Sequence, residues 1–108
     1  MKVDNYVQDY FGVSREKSRR YSRHPTIVLA RYVTWYLLRE HLQYSFPAIA
    51  RDFRMDHTTV MHGVKKVKEM GITELIDKQF SEYNTKTIMG IRLGKDTFYS
   101  PLMEAKSG

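Results

Sequence analysis

Residues 46–67 have the sequence FPAIARDFRMDHTTVMHGVKKV, with the spacing of two short helices joined by a tight turn. Ser45 is an N-cap for the first helix and Pro47 is tolerated in its first turn, while Asp56 is an N-cap for the second. Ala50 is small enough to let the second helix cross the first closely. Apolar residues at helical spacing predict the buried faces: Ile49, Phe53, Val60, Val64 and Val67. The pattern predicts a helix-turn-helix.

The second helix of this pair has a polar and basic outer face. At about 100° per residue, helical geometry separates this face from the buried valines. The face is formed by Thr58, His62 and Lys65 at its centre, His57 and Met61 on one side, and Thr59 and Lys66 on the other. A DNA-recognition helix needs such side chains, because its N-terminal part meets base edges and its lysines meet phosphates. The alternative is an αα-hairpin that only packs.

The remaining sequence also has helical periodicity. It predicts helices over Val3–Phe11, ended by Gly12, and over Pro25–Leu42, the most apolar segment and the expected central helix. Ser14 is an N-cap for a short helical turn between them. The other predicted helices are Phe46–Phe53, His57–Glu69 stopped by Gly71, and Ile72–Tyr83. We therefore expect an all-α domain of five or six helices over residues 1–84 that contains the helix-turn-helix, followed by an irregular tail over residues 85–108.

The charge of the chain favours a polyanionic partner. Its 108 residues include 18 Lys and Arg against 12 Asp and Glu, a net charge of +6. Residues 14–24, SREKSRRYSRH, hold five basic residues and one acidic residue and form the densest basic run. This balance favours nucleic acid over a membrane. The N-terminus lacks the apolar core of a signal peptide, and the apolar stretch 26–38 is too short to span a bilayer, so we expect a cytoplasmic protein.

Several kinds of chemistry have little support in the sequence. The absence of cysteine excludes thiol catalysis, thiolate metal sites and disulfides. His57 and His62 have no Glu or Cys at metal-ligand spacing, which disfavours a zinc site. The stretch GIRLGKDT over residues 90–97 is one residue too short between its glycines for a P-loop and has Asp96 where a Ser or Thr binds magnesium. No nucleophile–base pair stands out, so we expect a protein that is not an enzyme and needs no cofactor.

Four stretches carry a resemblance to a known family. YFGVS (10–14), IVLAR (27–31), the Ser-x-Pro-x-Ile step at Ser45 and above all DHTTVMHG (56–63) resemble the C-terminal DNA-binding domain of the bacterial replication initiator DnaA. The resemblance covers about residues 3–70, and DHTTV is its most specific motif. It implies the Trp-repressor-like fold of the DnaA C-terminal domain and sequence-specific binding of double-stranded DNA.

The resemblance also implies roles for single residues. Asp56, His57 and Thr58 would meet base edges in the major groove, Thr59 would reach a phosphate and Pro47 a thymine methyl. Arg31 would contact phosphate, Arg39 stands where the family has a basic residue near DNA, and Arg23 would enter the minor groove, since a narrow A·T-rich groove attracts guanidinium groups. His62, Lys65 and Lys66 complete the candidate DNA-binding residues.

The chain departs from the family at three points. Arg54-Met55 replaces a glycine-rich turn and is one residue shorter, which predicts a non-glycine residue in the left-handed region at a cost of ~1 kcal/mol. Tyr32 stands where a glutamine is common, so the base preference is expected to differ from the family's DnaA box. The family's ATPase does not fit in 108 residues. We therefore expect a stand-alone protein of a bacterium, or of a phage or mobile element in a bacterial host.

A second hypothesis assigns the chain to a different functional class. In it the helix-turn-helix is a scaffold, and residues 72–102 bind a replication or transcription protein. The protein would then act as an adaptor or transcriptional regulator. The sequence leaves this alternative open.

Overall fold

The computed structural model describes residues 2–20 and 23–88, with side chains up to Thr85. These residues form α-helices and no strand, which confirms the all-α fold class. The helices are α1 (Lys2–Phe11), α2 (Arg15–Arg19), α3 (Pro25–Glu40), α4 (Phe46–Phe53), α5 (His57–Glu69) and α6 (Thr73–Ile88). Within these ranges, no helix is long and apolar enough to cross a membrane.

The helix boundaries follow local signals in the sequence. Gly12 has a positive φ of 70° and ends α1. The Ser14 hydroxyl accepts a hydrogen bond of 3.2 Å from the Lys17 amide at the start of α2, and Ser45 accepts one of the same length from the Ala48 amide at the start of α4. Each hydroxyl satisfies an amide that has no partner within its helix. These predicted caps are confirmed.

The central helix α3 carries the core and holds α5 close. Trp35 is fully buried, and its ring meets the Phe53 ring of α4 edge-on, with centroids 5.6 Å apart. Gly63 of α5 lies against the same indole, so that a Cβ at this position would be 2.5 Å from Trp35 Cε3. Only glycine fits there without a shift of the ring. The predicted core positions of the helix-turn-helix, Ile49, Phe53, Val60, Val64 and Val67, are all buried.

The last described helix packs on the first. The Tyr6 hydroxyl donates a hydrogen bond of 2.8 Å to Gln79 Oε1, and the Tyr83 hydroxyl donates one of 2.8 Å to Asp9 Oδ2. Phe80 is buried between these contacts, with its ring edge-on to Tyr6. Helix α6 is therefore part of the domain core.

Two predicted boundaries differ from the structure. Helix α3 ends at Glu40 rather than Leu42, because Gln43 takes a left-handed conformation with φ of 58° and turns the chain toward α4. Helix α6 continues to Ile88, so residues 85–88 of the predicted irregular tail are helical. Residues 89–108, including the stretch GIRLGKDT, lie outside the described residues.

Candidate nucleic-acid interface

The outer face of α5 is arranged as the helical pattern predicts. Val60, Gly63, Val64 and Val67 are buried against the rest of the domain. The opposite side is exposed and consists of His57, Thr58, Thr59, Met61, His62, Lys65 and Lys66. The His62 ring also lies edge-on to the Tyr32 ring of α3, with centroids 6.4 Å apart. The helix thus presents polar side chains near its N-terminus and two lysines further along.

Asp56 occupies the N-cap position of α5 but does not cap with its side chain. Its backbone is extended, with φ −69° and ψ 144°, and its carboxylate makes no capping hydrogen bond. The predicted position is correct and the predicted side-chain cap is wrong, because the exposed carboxylate does not fold back over the first turn. Both carboxylate oxygens therefore remain available to accept hydrogen bonds from a partner.

Helices α3, α4 and α5 border an open cleft of about 870 Å³ beside the N-terminus of α5. Five predicted site residues line it together: Arg31, Pro47, Asp56, His57 and Thr59. The other lining residues are Ala50, Arg51, Arg54 and Met55. The predicted site residues outside this cleft are Thr58, His62, Lys65 and Lys66 on the outer face of α5, Arg39, and Arg23. The cleft and the face of α5 form one continuous candidate surface, because His57 and Thr59 belong to both.

Arg31, the predicted phosphate contact on the central helix, also has partners within the fold. Its side chain is buried, with 7% of the residue exposed. Its Nε donates a hydrogen bond of 2.8 Å to the Ser18 carbonyl oxygen, and Nη2 donates one of 2.6 Å to the Arg20 carbonyl oxygen. Burial lowers the pKa of the guanidinium below its ordinary value. Arg31 therefore joins α3 to the end of α2 as well as lining the cleft.

Arg39 lies beside a second, smaller cleft. Its guanidinium is 4.6 Å from the centre of the Phe46 ring, and Nη1 donates a hydrogen bond of 3.2 Å to the Tyr44 carbonyl oxygen. The same cleft contains Lys68, whose Nζ is 2.8 Å from Glu40 Oε1. The aromatic contact and the carbonyl restrain the Arg39 side chain at the start of α4.

Arg23 lies just before α3 and is exposed. Its neighbours at 21 and 22 are not among the described residues, so the path of the loop before it is not described. The next residue, His24, caps α3, since its Nδ1 accepts a hydrogen bond of 3.3 Å from the Thr26 amide. The start of α3 thus fixes the end of the loop that carries Arg23.

The basic run at residues 14–24 is largely neutralised within the fold. Asp52 of α4 accepts hydrogen bonds from Arg15 and from Arg19, the latter of 2.6 Å. Arg15 also pairs with Asp4, and Arg20 pairs with Glu16 at 2.9 Å. Arg15, Arg19 and Arg20 therefore have carboxylate partners, which the order of residues in the sequence did not indicate.

Two arginines of the candidate surface were not predicted. Arg51 and Arg54 line the main cleft and are exposed, and neither side chain forms a hydrogen bond or ion pair within the described part of the chain. Arg54 has φ 55° and ψ 47°, the left-handed conformation predicted for the shortened turn. The sequence contained one signal for it, namely a cation in the turn that directly precedes the recognition helix.

Comparison with known proteins agrees with this geometry. The family model described as the bacterial DnaA protein helix-turn-helix matches residues 1–67. The chain is also similar to the chromosomal replication initiator protein DnaA of Cutibacterium acnes, with 40% identity over 80 residues that cover 72% of this chain. The matched part is 16% of that relative's length. On the match over residues 1–67, the chain belongs to the family of bacterial DnaA helix-turn-helix domains.

Proposed function

We propose that the protein binds double-stranded DNA sequence-specifically at DnaA-box-like sites and takes part in, or regulates, replication initiation in the bacterial cytoplasm without ATPase activity. The observation that carries this proposal is the exposed N-terminal half of α5. Hydrogen-bonding side chains lie there beside a cleft that carries arginines from α3 and α4. A duplex offers base edges and phosphates to such a surface at the same time.

In this proposal α5 reads the major groove. Asp56, His57 and Thr58 contact base edges, because they lie on the first turn, which reaches deepest into the groove in helix-turn-helix proteins. The Asp56 carboxylate accepts hydrogen bonds only, so it suits the amino group of a cytosine. Pro47, at the exposed start of α4, contacts a thymine methyl.

The phosphate and minor-groove contacts in this proposal supply affinity. Thr59, Lys65, Lys66 and the His62 ring contact the phosphates that border the groove. Arg39 contacts a phosphate near the start of α4, and Arg23 enters the minor groove. Arg31 contacts a phosphate through the guanidinium N–H groups that are not bonded to the Ser18 and Arg20 carbonyl oxygens.

The proposal is tested by fluorescence anisotropy with two duplexes of equal length and composition, one with a DnaA box and one with that box scrambled. We expect tighter binding to the box at both low and moderate salt, since base contacts persist when phosphate contacts are screened. Equal binding that disappears with salt contradicts box recognition, and selection from random duplexes would then identify a different preferred site. An absence of binding at low salt contradicts DNA binding altogether.

A further inference from the structure

The arginines around this surface differ sharply in their charge partners. Arg15 and Arg19 share Asp52, and both guanidinium groups also lie over the Phe53 ring, at 4.9 and 5.8 Å from its centre. Both carboxylate oxygens of Asp52 thus accept hydrogen bonds from α2. The cations next to it in sequence, Arg51 and Arg54, are left without a carboxylate partner in the described part of the chain.

Arg51 and Arg54 stand between two clefts. Both line the main cleft, which also contains Asp56 and His57, and both line a third cleft toward α2 together with Glu16 and Asp52. They are one turn apart at the end of α4, and the left-handed backbone at Arg54 turns the chain directly into α5. The two cations therefore border the N-terminus of α5 on the side of the turn.

The unpaired cations and the α5 N-terminus favour the same kind of ligand. Two guanidinium groups in an open cleft attract phosphate oxygens, which they bind through fork-like pairs of N–H donors. An acidic protein surface would offer carboxylates to the same groups, but it would not place base edges on α5 beside them.

We infer that Arg51 and Arg54 extend the DNA interface beyond the recognition helix and hold phosphates of the strand that borders the N-terminus of α5. This inference rests on the proposed function and adds two cations that the family resemblance does not supply. Asp52 lines the cleft toward α2 beside these cations, and its pairing with Arg15 and Arg19 reduces the repulsion between its carboxylate and a phosphate. Unpaired, that carboxylate would repel the phosphates.

The test measures the salt dependence of binding by the full chain. Each phosphate contact changes the slope of log affinity against log salt by about 0.9 in B-form DNA. Affinity falls as salt rises from 50 to 200 mM, and the loss of one contact makes this fall about 3.5-fold smaller. For Arg51→Ala combined with Arg54→Gly, we expect a fall about 12-fold smaller than in the wild type. Glycine is chosen at residue 54 because it keeps the left-handed backbone.

Two control variants complete the test. Arg51→Lys combined with Arg54→Lys keeps both charges and is expected to keep the wild-type slope. Lys78→Ala removes an exposed cation of α6, which lines neither cleft, and is also expected to keep it. Circular dichroism of each variant verifies that the helices remain.

The outcomes separate the inference from the function. If the wild type prefers the box and the Arg51/Arg54 variant has the same slope as Lys78→Ala, the inference is overturned and the proposed function stands. If the wild type shows no box preference, the proposed function fails, and the slope on either duplex still decides the inference. A reduced slope with an unchanged ratio of box to scrambled affinity supports phosphate contacts.

Discussion

Arg31 donates a hydrogen bond of 2.6 Å to the carbonyl oxygen of Arg20, three residues before Arg23. The buried guanidinium thereby ties the central helix to the segment that leads into the arginine-containing loop. Its second bond, to Ser18, keeps the end of α2 in place. Arg31 thus positions other cations in addition to its own proposed phosphate contact.

Replacement of Arg31 by Met is expected to destabilise the fold and to weaken box binding. The carbonyls of Ser18 and Arg20 would lose a charged donor in a region of little solvent access, at a cost of ~1–3 kcal/mol. Urea unfolding measures the free energy, and anisotropy measures the affinity. The matched control is Arg39→Met on the same helix, which removes equal charge but only one carbonyl bond. Equal destabilisation by both variants contradicts the positioning role.

His57→Ala is expected to reduce the preference for a DnaA box. Loss of a base contact costs ~1–3 kcal/mol on the box and little on a scrambled duplex, because only the box offers the matching base edge. Lys66→Ala is the control, and we expect it to weaken binding to both duplexes equally. Equal losses on the two duplexes for His57→Ala would remove His57 from base recognition.

Gly63→Ala is expected to loosen the contact between α5 and α3. A Cβ at this position would overlap the Trp35 ring, and such overpacking costs ~1–3 kcal/mol. Trp35 is the one tryptophan of the chain, so its fluorescence reports the displaced ring directly. Gly71→Ala is the control, because Gly71 has φ +71° and open space around it. It should cost stability through backbone strain and leave the Trp35 emission unchanged.

Arg54→Gly is expected to stabilise the protein. The left-handed conformation at residue 54 costs a residue with a Cβ ~1 kcal/mol relative to glycine. Arg54→Ala removes the same charge but keeps the strain, so a gain confined to the glycine variant identifies the backbone as the cause. Thermal or urea unfolding makes the comparison. A gain of the same size in both variants would assign the effect to charge instead.

Alkaline solution is expected to unfold the domain through its buried tyrosines. Burial raises the pKa of Tyr6, Tyr36 and Tyr83 above the ordinary value of 10.0. The pKa rises further for Tyr36, which donates a hydrogen bond to Asp77, and for Tyr83, which donates one to Asp9. The folded state therefore holds protons that the unfolded state releases. This contribution to stability is complete below pH 10 and is lost as the pH rises toward the folded-state pKa values.

Urea unfolding between pH 8 and 11 checks this dependence. Tyr6→Phe keeps the ring packed but removes one titrating group, so its stability should fall less steeply above pH 10. Tyr44→Phe, at an exposed tyrosine, is the control and should follow the wild type. An identical pH dependence for all three proteins would exclude Tyr6 as a source of the alkaline transition.

Local signals predicted most of the fold. Ser14 and Ser45 cap helices as expected, since a cap depends on residues only three positions apart. The shortened turn also placed Arg54 in the left-handed region, because only a few backbone conformations close so short a connection. The turn at Gln43 was missed, since neither glycine nor proline marks it.

The charge pattern of the site required tertiary structure. Asp52 lies 37 residues from Arg15 and 33 from Arg19, so their pairing is set by how α2 packs on α4. The sequence placed the excess charge in residues 14–24, whereas the structure leaves Arg51 and Arg54 unpaired. Likewise, the buried bonds of Arg31 depend on the packing of α2 against α3.

The close contact of Gly63 with Trp35 separates the two roles of α5, packing on the domain and contacting DNA. The side that touches the indole fixes the helix in the domain, and the exposed side carries Thr58, His62 and their neighbours. New preferences can therefore evolve, or be selected from randomised libraries, by changes at outward positions alone. The exposed face of α5 can therefore change its base contacts while the buried face keeps the helix in the same position on α3.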